Sequence, residues 1–295
     1  MSLRRPLSES VVVVTGASGG IGAATAECLA ERGTRVVLAA RRPDALEEIA
    51  SRCLARGGEA LAVPSDVTDP AAVEALAEAA TGRFGRIDAW VNNAAVALYA
   101  PLVGARLDEV RRVVDVNVFG YLHGIRSAVP RLRAAGGGVI VNVASVLAEM
   151  AVPYLGAYTL TKSAVRALSD TVRQELVGEP ISVCTVLPAS VDTPLYEHAG
   201  NRSGRVARPI PPVYSPDTVA RVILRVLRRP RRVAYAGGLG RLGVWQWHLA
   251  PGLTERAGAL VGPVVALGDE PRPPTAGNLF TPVPGEPASE RRRRQ

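Results

Sequence analysis

The chain has 295 residues, of which 47% are hydrophobic and 4% aromatic. This length and apolar fraction allow a sizeable buried core, which excludes a chain that is disordered throughout. Its net charge of +8 does not indicate a nucleic-acid partner, because arginines cluster at residues 225–232 and 291–294 and elsewhere alternate with Asp and Glu, as on a solvated surface.

Short runs rich in β-branched residues alternate with longer helical patterns. The candidate strands are Val11–Val14, Val36–Ala39, Ala60–Val63, Ile87–Val91, Val139–Val143, Ile181–Leu187 and Val233–Ala236. Helices are predicted at residues 43–56, 70–83 and 216–228, the first two with a proline where a first helical turn accepts one. This alternation predicts one α/β domain with a Rossmann-like, doubly wound parallel sheet, whose ligands bind at the carboxyl ends of the strands.

The rest of the chain divides by composition. We expect the main domain at residues 1–240, with a lid over the ligand site at residues 194–212, where Gly, Pro, Arg and Ser predict a long loop. Residues 241–268 form an apolar extension. Residues 269–295 are Pro-rich and charged, which predicts a disordered tail.

Cysteine usage and the N-terminus favour a cytoplasmic protein. The three cysteines are far apart and share no metal-binding spacing, so we expect reduced core residues and no metal site. The apolar run at Val11–Val14 is too short for a secretory signal or a membrane anchor.

A glycine-rich segment, Thr15–Gly22, follows the first strand and opens a helix. Glycines at such a turn let the backbone approach a pyrophosphate at the positive end of the helix dipole, although a merely tight turn is the alternative. The residues expected to contact a dinucleotide here are Gly16, Ser18, Gly20, Ile21 and Gly22.

The end of the second strand indicates which dinucleotide binds. It reads Ala39-Ala40-Arg41-Arg42, without the carboxylate that accepts from the ribose hydroxyls of NAD. An arginine can instead pair with a 2′-phosphate, so we predict NADP(H), with Arg41 as the contact; the alternative is that one of the two arginines is only solvated. Asp66 and Val67 end the third strand, where an adenine would lie.

Tyr158 and Lys162 are one helical turn apart and therefore share a helix face. A phenol needs a nearby cation to act as an acid or base at neutral pH, and Lys162 could supply this charge and also donate to ribose hydroxyls. Lys162 is the only lysine in the chain. Because a compact ammonium differs chemically from a guanidinium, this exception favours a functional role.

Residues 8–240 resemble the short-chain dehydrogenase/reductase family. The resemblance is carried by the glycine turn, Asn92-Asn93-Ala94-Ala95, Asn117, Ser145 and the Tyr158–Lys162 pair, in that order. It implies that Ser145 polarises a substrate carbonyl, Tyr158 exchanges its proton, and Lys162 lowers the pKa of Tyr158. It also implies that Asn117 anchors a water leading from Lys162 to solvent and that a nicotinamide exchanges hydride with the substrate.

Each assignment has a structural alternative. Ser145 could only cap a turn, Asn117 could bond within its helix, and the asparagines at 92 and 93 could only stabilise a turn. Two alanines depart from the family pattern where glycine is usual: Ala95, and Ala189 after Pro188. We expect these methyl groups to shift the cofactor slightly without loss of binding.

Val191 and Thr193 are candidates for contact with the nicotinamide amide. In the lid, Arg202, Arg205 and Arg208 could meet an acidic substrate, although solvated charges are the simpler interpretation.

The extension carries Trp245 and Trp247 within the glycine-rich residues 237–262, just after an arginine cluster. Such a segment could touch a membrane surface, but we favour a subunit interface or a wall of an apolar substrate pocket. The sequence thus predicts an NADP(H)-dependent, homo-oligomeric oxidoreductase acting on a small, lipophilic carbonyl or alcohol. The alternative is a non-catalytic NADP(H) sensor, because a fold alone does not fix function.

Overall fold

A computed structural model of the protein describes Leu3 and residues 5–283. Within these residues the strands are β1 (Val11–Thr15), β2 (Arg35–Ala40), β3 (Glu59–Pro64), β4 (Ala89–Asn92), β5 (Leu98–Tyr99), β6 (Gly138–Val143), β7 (Ile181–Pro188), β8 (Gly200–Asn201), β9 (Arg205–Ala207), β10 (Val233–Ala236) and β11 (Leu267–Pro271). The α-helices are α1 (Gly20–Ala30), α2 (Pro43–Ala55), α3 (Pro70–Phe84), α4 (Leu107–Val114), α5 (Gly120–Ala134), α6 (Gly156–Glu175), α7 (Leu195–His198), α8 (Pro216–Arg228), α9 (Gly238–Leu249) and α10 (Pro251–Ala266). A π-helical turn, Asp115–Phe119, joins α4 to α5.

The centre of the fold is a parallel sheet of seven strands in the order β10-β7-β6-β4-β1-β2-β3. The valine run of β1 is fully buried because helices cover both faces of the sheet. Val12 and Val14 pack in the core on the α1 and α8 side, whereas Val11 and Val13 pack on the α3 and α5 side. The predicted Rossmann-like, doubly wound fold and its single domain are confirmed.

The chain leaves β1 in one direction to form β2 and β3, and returns to form β4 on the other side of β1. This reversal of strand order opens a crevice at the carboxyl ends of β1 and β4, where doubly wound sheets bind ligands. The predicted strands and helices lie within two residues of the observed ones; the largest difference is β4, which begins at Ala89 and not at Ile87.

The lid is more ordered than its composition predicts. Residues 194–212 contain α7, β8 and β9; β8 pairs with β5 in parallel, and β9 pairs with β11 in the antiparallel sense. The guanidinium of Arg202 donates to the buried carboxylate of Glu109 on α4. The prediction of a plain loop is therefore wrong, because strands of two or three residues leave no periodic pattern in the sequence.

The structure also disagrees with the predicted disorder of residues 269–283. The main chain of Thr275 exchanges two hydrogen bonds with Asn201 of the lid, at 2.8 and 2.9 Å. Leu279 is fully buried in the core that contains Leu98. Pairing with a distant lid segment supplies the order that local composition does not, and the remainder of the predicted tail, residues 284–295, lies outside the described residues.

The extension forms α9 and α10. Among the described residues, no helix is long and apolar enough to cross a membrane.

Candidate active site

A groove of about 450 Å³ lies at the carboxyl ends of the central strands. It brings together most of the residues that the sequence singles out. Among those that line it are Gly16, Ser18, Gly20, Ile21, Arg41, Asp66, Val67, Asn93, Ser145, Tyr158, Lys162, Val191 and Thr193. Gly22 and Asn117 are not part of this lining, but each contacts it: Gly22 packs against Gly16, and Asn117 hydrogen-bonds to Val96.

The glycine turn between β1 and α1 forms one end of the groove. Gly16 has a φ of +66°, and a Cβ on Gly22 would lie 2.2 Å from the carbonyl oxygen of Gly16, so neither position accepts a side chain. Gly19, which precedes α1, offers no side chain to the N–H groups of the first helical turn. These donors are therefore available to an anion such as a pyrophosphate.

Asn93 holds this turn from the end of β4. Its main-chain N–H donates to the Thr15 hydroxyl at 3.0 Å, and its Nδ2 donates to the carbonyl oxygens of Thr15 and Gly16 at 3.0 and 3.3 Å. Asn92 instead bonds inside the core, to Trp90 and Asn142. Asn93 thus stabilises the glycine turn, whereas Asn92 joins β4 to β6 within the core. Direct contact of Asn93 with a cofactor remains a prediction.

Charged side chains surround the end of the groove near β2 and β3. Arg42 donates to the carbonyl oxygen of Ser18 in the glycine turn at 3.3 Å. Burial alone would raise the pKa of Asp66, but hydrogen bonds from Thr68 and Arg112 outweigh it and lower that pKa. Asp66 is therefore an ionised carboxylate at neutral pH.

Ser145 and Tyr158 meet at the other end of the groove. The Ser145 hydroxyl accepts from the N–H of Leu147 at 3.1 Å, so it caps a short turn, and it also hydrogen-bonds to the Tyr158 phenol. Water exclusion, and secondarily the neighbouring Tyr196, raise the pKa of Tyr158 well above its ordinary value, while Ser145 opposes this shift. The phenol is consequently protonated at neutral pH.

Lys162 lies one turn further along α6 with only 1% of its surface exposed. Its Nζ donates to the carbonyl oxygen of Val143 at 2.9 Å and to the Tyr121 hydroxyl at 3.3 Å. Burial lowers the pKa of Lys162 to about 7. The expected lowering of the Tyr158 pKa is thus not what the structure gives, because Nζ points to Val143 and lies 5.4 Å from the centre of the Tyr158 ring.

Asn117 is buried in the π-helical turn. Its Oδ1 accepts from the N–H of Val96 at 2.9 Å, and its Nδ2 donates to the Val96 carbonyl and the Thr161 hydroxyl, both at 3.0 Å. The side chain therefore ties the loop after β4 to the helix that carries Tyr158 and Lys162. The predicted water relay at Asn117 remains a prediction.

The part of the groove beside Tyr158 is mostly apolar. Side chains that sequence reasoning missed line it, and among them are Tyr99, Leu147, Met150, Val152, Leu195, Tyr196, Ile210 and Leu239. They come from β5, the segment between β6 and α6, the lid and α9, which lie far apart in the sequence. The Tyr196 hydroxyl hydrogen-bonds to Ser190 at 3.0 Å. Leu239 and Gly243 belong to the glycine-rich residues 237–262, and their place in the groove agrees with the interpretation that this segment forms a wall of an apolar pocket.

The methyl group of Ala189, one of the two departures from the family pattern, faces α9. A Cβ added at Gly237 or Gly240 would lie 2.8 or 2.7 Å from the Ala189 Cβ. The two glycines thus provide the space that this alanine needs.

A glycine turn at a helix N-terminus in the switch point of a parallel sheet, next to a Ser–Tyr–Lys arrangement, defines a dinucleotide-binding oxidoreductase. A model of the short chain dehydrogenase family matches residues 10–203. The chain belongs to the short-chain dehydrogenase/reductase family.

Relatives and solved structures agree with this assignment. An uncharacterized oxidoreductase of Bacillus subtilis, YxnA, is 35% identical over 85% of this chain and 72% of its own length. A short-chain dehydrogenase/reductase from Burkholderia phymatum in complex with NAD superposes with a TM-score of 0.74 and 28% identity, over 83% of this chain and 94% of that one. An alcohol dehydrogenase from Thermococcus sibiricus complexed with 5-hydroxy-NADP has a TM-score of 0.67 and 29% identity, over 77% of this chain and 94% of that one.

Proposed function

We propose that the protein is an NADP(H)-dependent oxidoreductase that interconverts a lipophilic ketone or aldehyde with its alcohol. The observation that carries this proposal is the Tyr158 phenol, hydrogen-bonded to Ser145, between a glycine turn and an apolar pocket. When bound, the nicotinamide cofactor supplies or accepts the hydride. The residues of the chain hold the substrate oxygen and move its proton.

In the reducing direction, the Ser145 hydroxyl donates to the carbonyl oxygen and polarises it. The neutral phenol of Tyr158 then delivers a proton to that oxygen. Lys162, with a pKa of about 7, can gain and lose a proton near neutral pH and so restore the phenol. Asn117 and Tyr121 position the helix and the ammonium for this role.

The preference for NADP(H) is supported by charge. β2 ends at Ala40 and is followed by Arg41 and Arg42, with no carboxylate there to repel a 2′-phosphate. Backbone of the glycine turn would hold the pyrophosphate, and Asp66 and Val67 would border the adenine. Val191 and Thr193 line the groove where we place the nicotinamide amide.

The test is steady-state turnover with NADPH and with NADH against ketones and aldehydes of increasing apolar size. We expect a higher kcat/KM with NADPH and with the larger apolar substrates. Preference for NADH, or for small polar carbonyls, would contradict the cofactor or the substrate part of the proposal. Binding of NADPH without turnover of any member of the panel would favour the sensor, which no observation supports at present.

The outer face of the extension supports a proposal about assembly. Leu242, Trp245 and Leu249 on α9 and Leu260 and Val264 on α10 are exposed. We infer that a second copy of the chain covers them, with a membrane surface as the alternative partner. Light scattering measures the mass in solution, and a monomer that floats with anionic vesicles would show the alternative to be correct.

A further inference from the structure

The segment of residues 275–283, here called the clasp, borders the groove at the end that holds Arg41. Asn278, Pro282 and Val283 line the groove there, close to Arg41 and Asp66. The clasp is anchored by the main-chain pair between Thr275 and Asn201 and by the N–H of Asn278, which donates to the His198 carbonyl at 2.8 Å.

Two arginines hold three successive carbonyl groups of the clasp. Arg41 donates to the carbonyl oxygens of Asn278 at 2.7 Å and of Phe280 at 3.2 Å. Arg112 donates to the carbonyl oxygen of Leu279 at 2.8 Å and also to the Asp66 carboxylate at 3.0 Å. The clasp is therefore fastened to the same side chains that border the predicted adenosine site.

The two hydrogen bonds to the clasp fix the orientation of the Arg41 guanidinium but occupy only some of its N–H donors. A guanidinium has five N–H donors in one plane, and the clasp accepts from one N–H on each terminal nitrogen. Within the described residues the remaining donors have no other acceptor, so they can bind an anion. A long side chain that is already ordered loses less conformational entropy when it binds a phosphate, so the clasp prepares Arg41 for that contact.

Asn278 supplies a second and independent observation. Asn278 lines the groove, and its Oδ1 is buried. Within the described part of the chain this oxygen accepts no hydrogen bond. A buried amide oxygen without a donor is costly, and each such group calls for an explanation. An adenosine moiety offers the missing donors, as ribose hydroxyls and the adenine amino group.

We propose that the clasp is a cofactor-binding element in which two main-chain carbonyls position Arg41 for the 2′-phosphate and the Asn278 side chain binds the adenosine moiety. This inference rests on the proposed use of NADP(H). It assigns cofactor specificity to a C-terminal segment that lies more than 200 residues from the glycine turn.

The test uses the full chain and two probes that differ in one phosphate, adenosine 2′,5′-bisphosphate and adenosine 5′-monophosphate. Leu279→Ala loosens the clasp at its buried anchor, Asn278→Ala removes the carboxamide, and Leu54→Ala is the matched control at an exposed site on α2. Calorimetric titration gives the dissociation constant of each probe. Thermal unfolding shows whether each variant is folded.

For Leu279→Ala we expect binding of the bisphosphate to weaken about tenfold and that of the monophosphate by less than about threefold, since the loss concerns contacts with one phosphate. For Asn278→Ala both probes should weaken alike, by about threefold to tenfold. Leu54→Ala should match the unsubstituted chain. If Leu279→Ala does not fold, Asn278→Ala still decides the adenosine contact.

The binding data distinguish a failure of the NADP(H) preference from a failure of the clasp proposal. A full chain that binds both probes equally would overturn the NADP(H) preference and the clasp proposal with it. A full chain that prefers the bisphosphate, with unchanged or tighter binding in both clasp variants, would overturn the clasp proposal alone.

Discussion

Lys162 combines nearly complete burial with a positive charge, and this predicts a specific dependence of stability on pH. Its pKa falls from 10.5 to about 7 because burial disfavours the ammonium form. Between those two values the unfolded chain binds more protons than the folded one. The stability contributed by this residue therefore rises as the pH rises from about 7 towards 10.5.

The magnitude follows from 1.36 kcal/mol per pKa unit. From pH 7 to pH 9 the free energy of unfolding should rise by about 2 kcal/mol. The rise is smaller than the full slope gives, because about half of the folded molecules still carry the Lys162 proton at pH 7. Lys162→Met keeps the length and the apolar stem of the side chain and removes the charge. The variant should lack this gain and, near pH 6.5, should be more stable than the unsubstituted protein.

Urea unfolding of both proteins at pH 6.5, 7, 8 and 9 measures the effect. The quantity of interest is the difference between the two free energies at each pH, because contributions common to both proteins cancel. The thiols of Cys53 and Cys184, whose pKa values burial raises to about 11, are one such contribution. A difference that stays constant from pH 7 to pH 9 would refute the assignment of a depressed pKa to Lys162.

Two further predictions concern the lid and the extension. Gly240→Ala places a methyl group 2.7 Å from the Cβ of Ala189, so α9 must shift and kcat/KM should fall several-fold. Gly243→Ala is the control: its methyl group meets only the flexible sulfur of Met150 at 3.9 Å and should leave kcat/KM nearly unchanged. Arg202→Met leaves the buried Glu109 carboxylate without its guanidinium and should cost about 3–5 kcal/mol in urea unfolding. A loss under about 1 kcal/mol, or equal kinetic effects at the two glycines, would contradict these predictions.

The parts of the fold that local sequence encodes could be predicted. The valine run of β1 and the glycine turn after it carry their own signals, since buried parallel strands are continuous apolar runs and a close backbone approach requires glycine. The Tyr158–Lys162 pair was likewise visible as a spacing on one helix. These features placed one end of the groove correctly.

What could not be predicted depends on contacts between distant segments. Leu279 becomes a core residue only because the clasp pairs with the lid, and β9 exists only because β11 lies beside it. The partners of Arg41 come from the same clasp. A window of sequence contains none of these pairings, so composition alone gave a disordered tail.

The electrostatic prediction failed for a related reason. Helical spacing placed Lys162 near Tyr158, but it could not reveal that the Val143 carbonyl accepts from the ammonium or that Lys162 is almost fully buried. Burial raises the pKa of the phenol and lowers that of the amine, and both shifts favour the neutral forms. The resulting neutral phenol suits proton donation to a carbonyl.

The most direct test of the account is turnover by Tyr158→Phe with NADPH and a ketone that the unsubstituted protein reduces. Tyr235→Phe, at a half-buried tyrosine of β10, is the matched control. Tyr158→Phe should lower kcat by about 10²–10⁴-fold and leave the dissociation constant of NADPH nearly unchanged, while the control keeps full turnover. Turnover by Tyr158→Phe at the rate of the unsubstituted protein would contradict the role of this phenol as the proton donor.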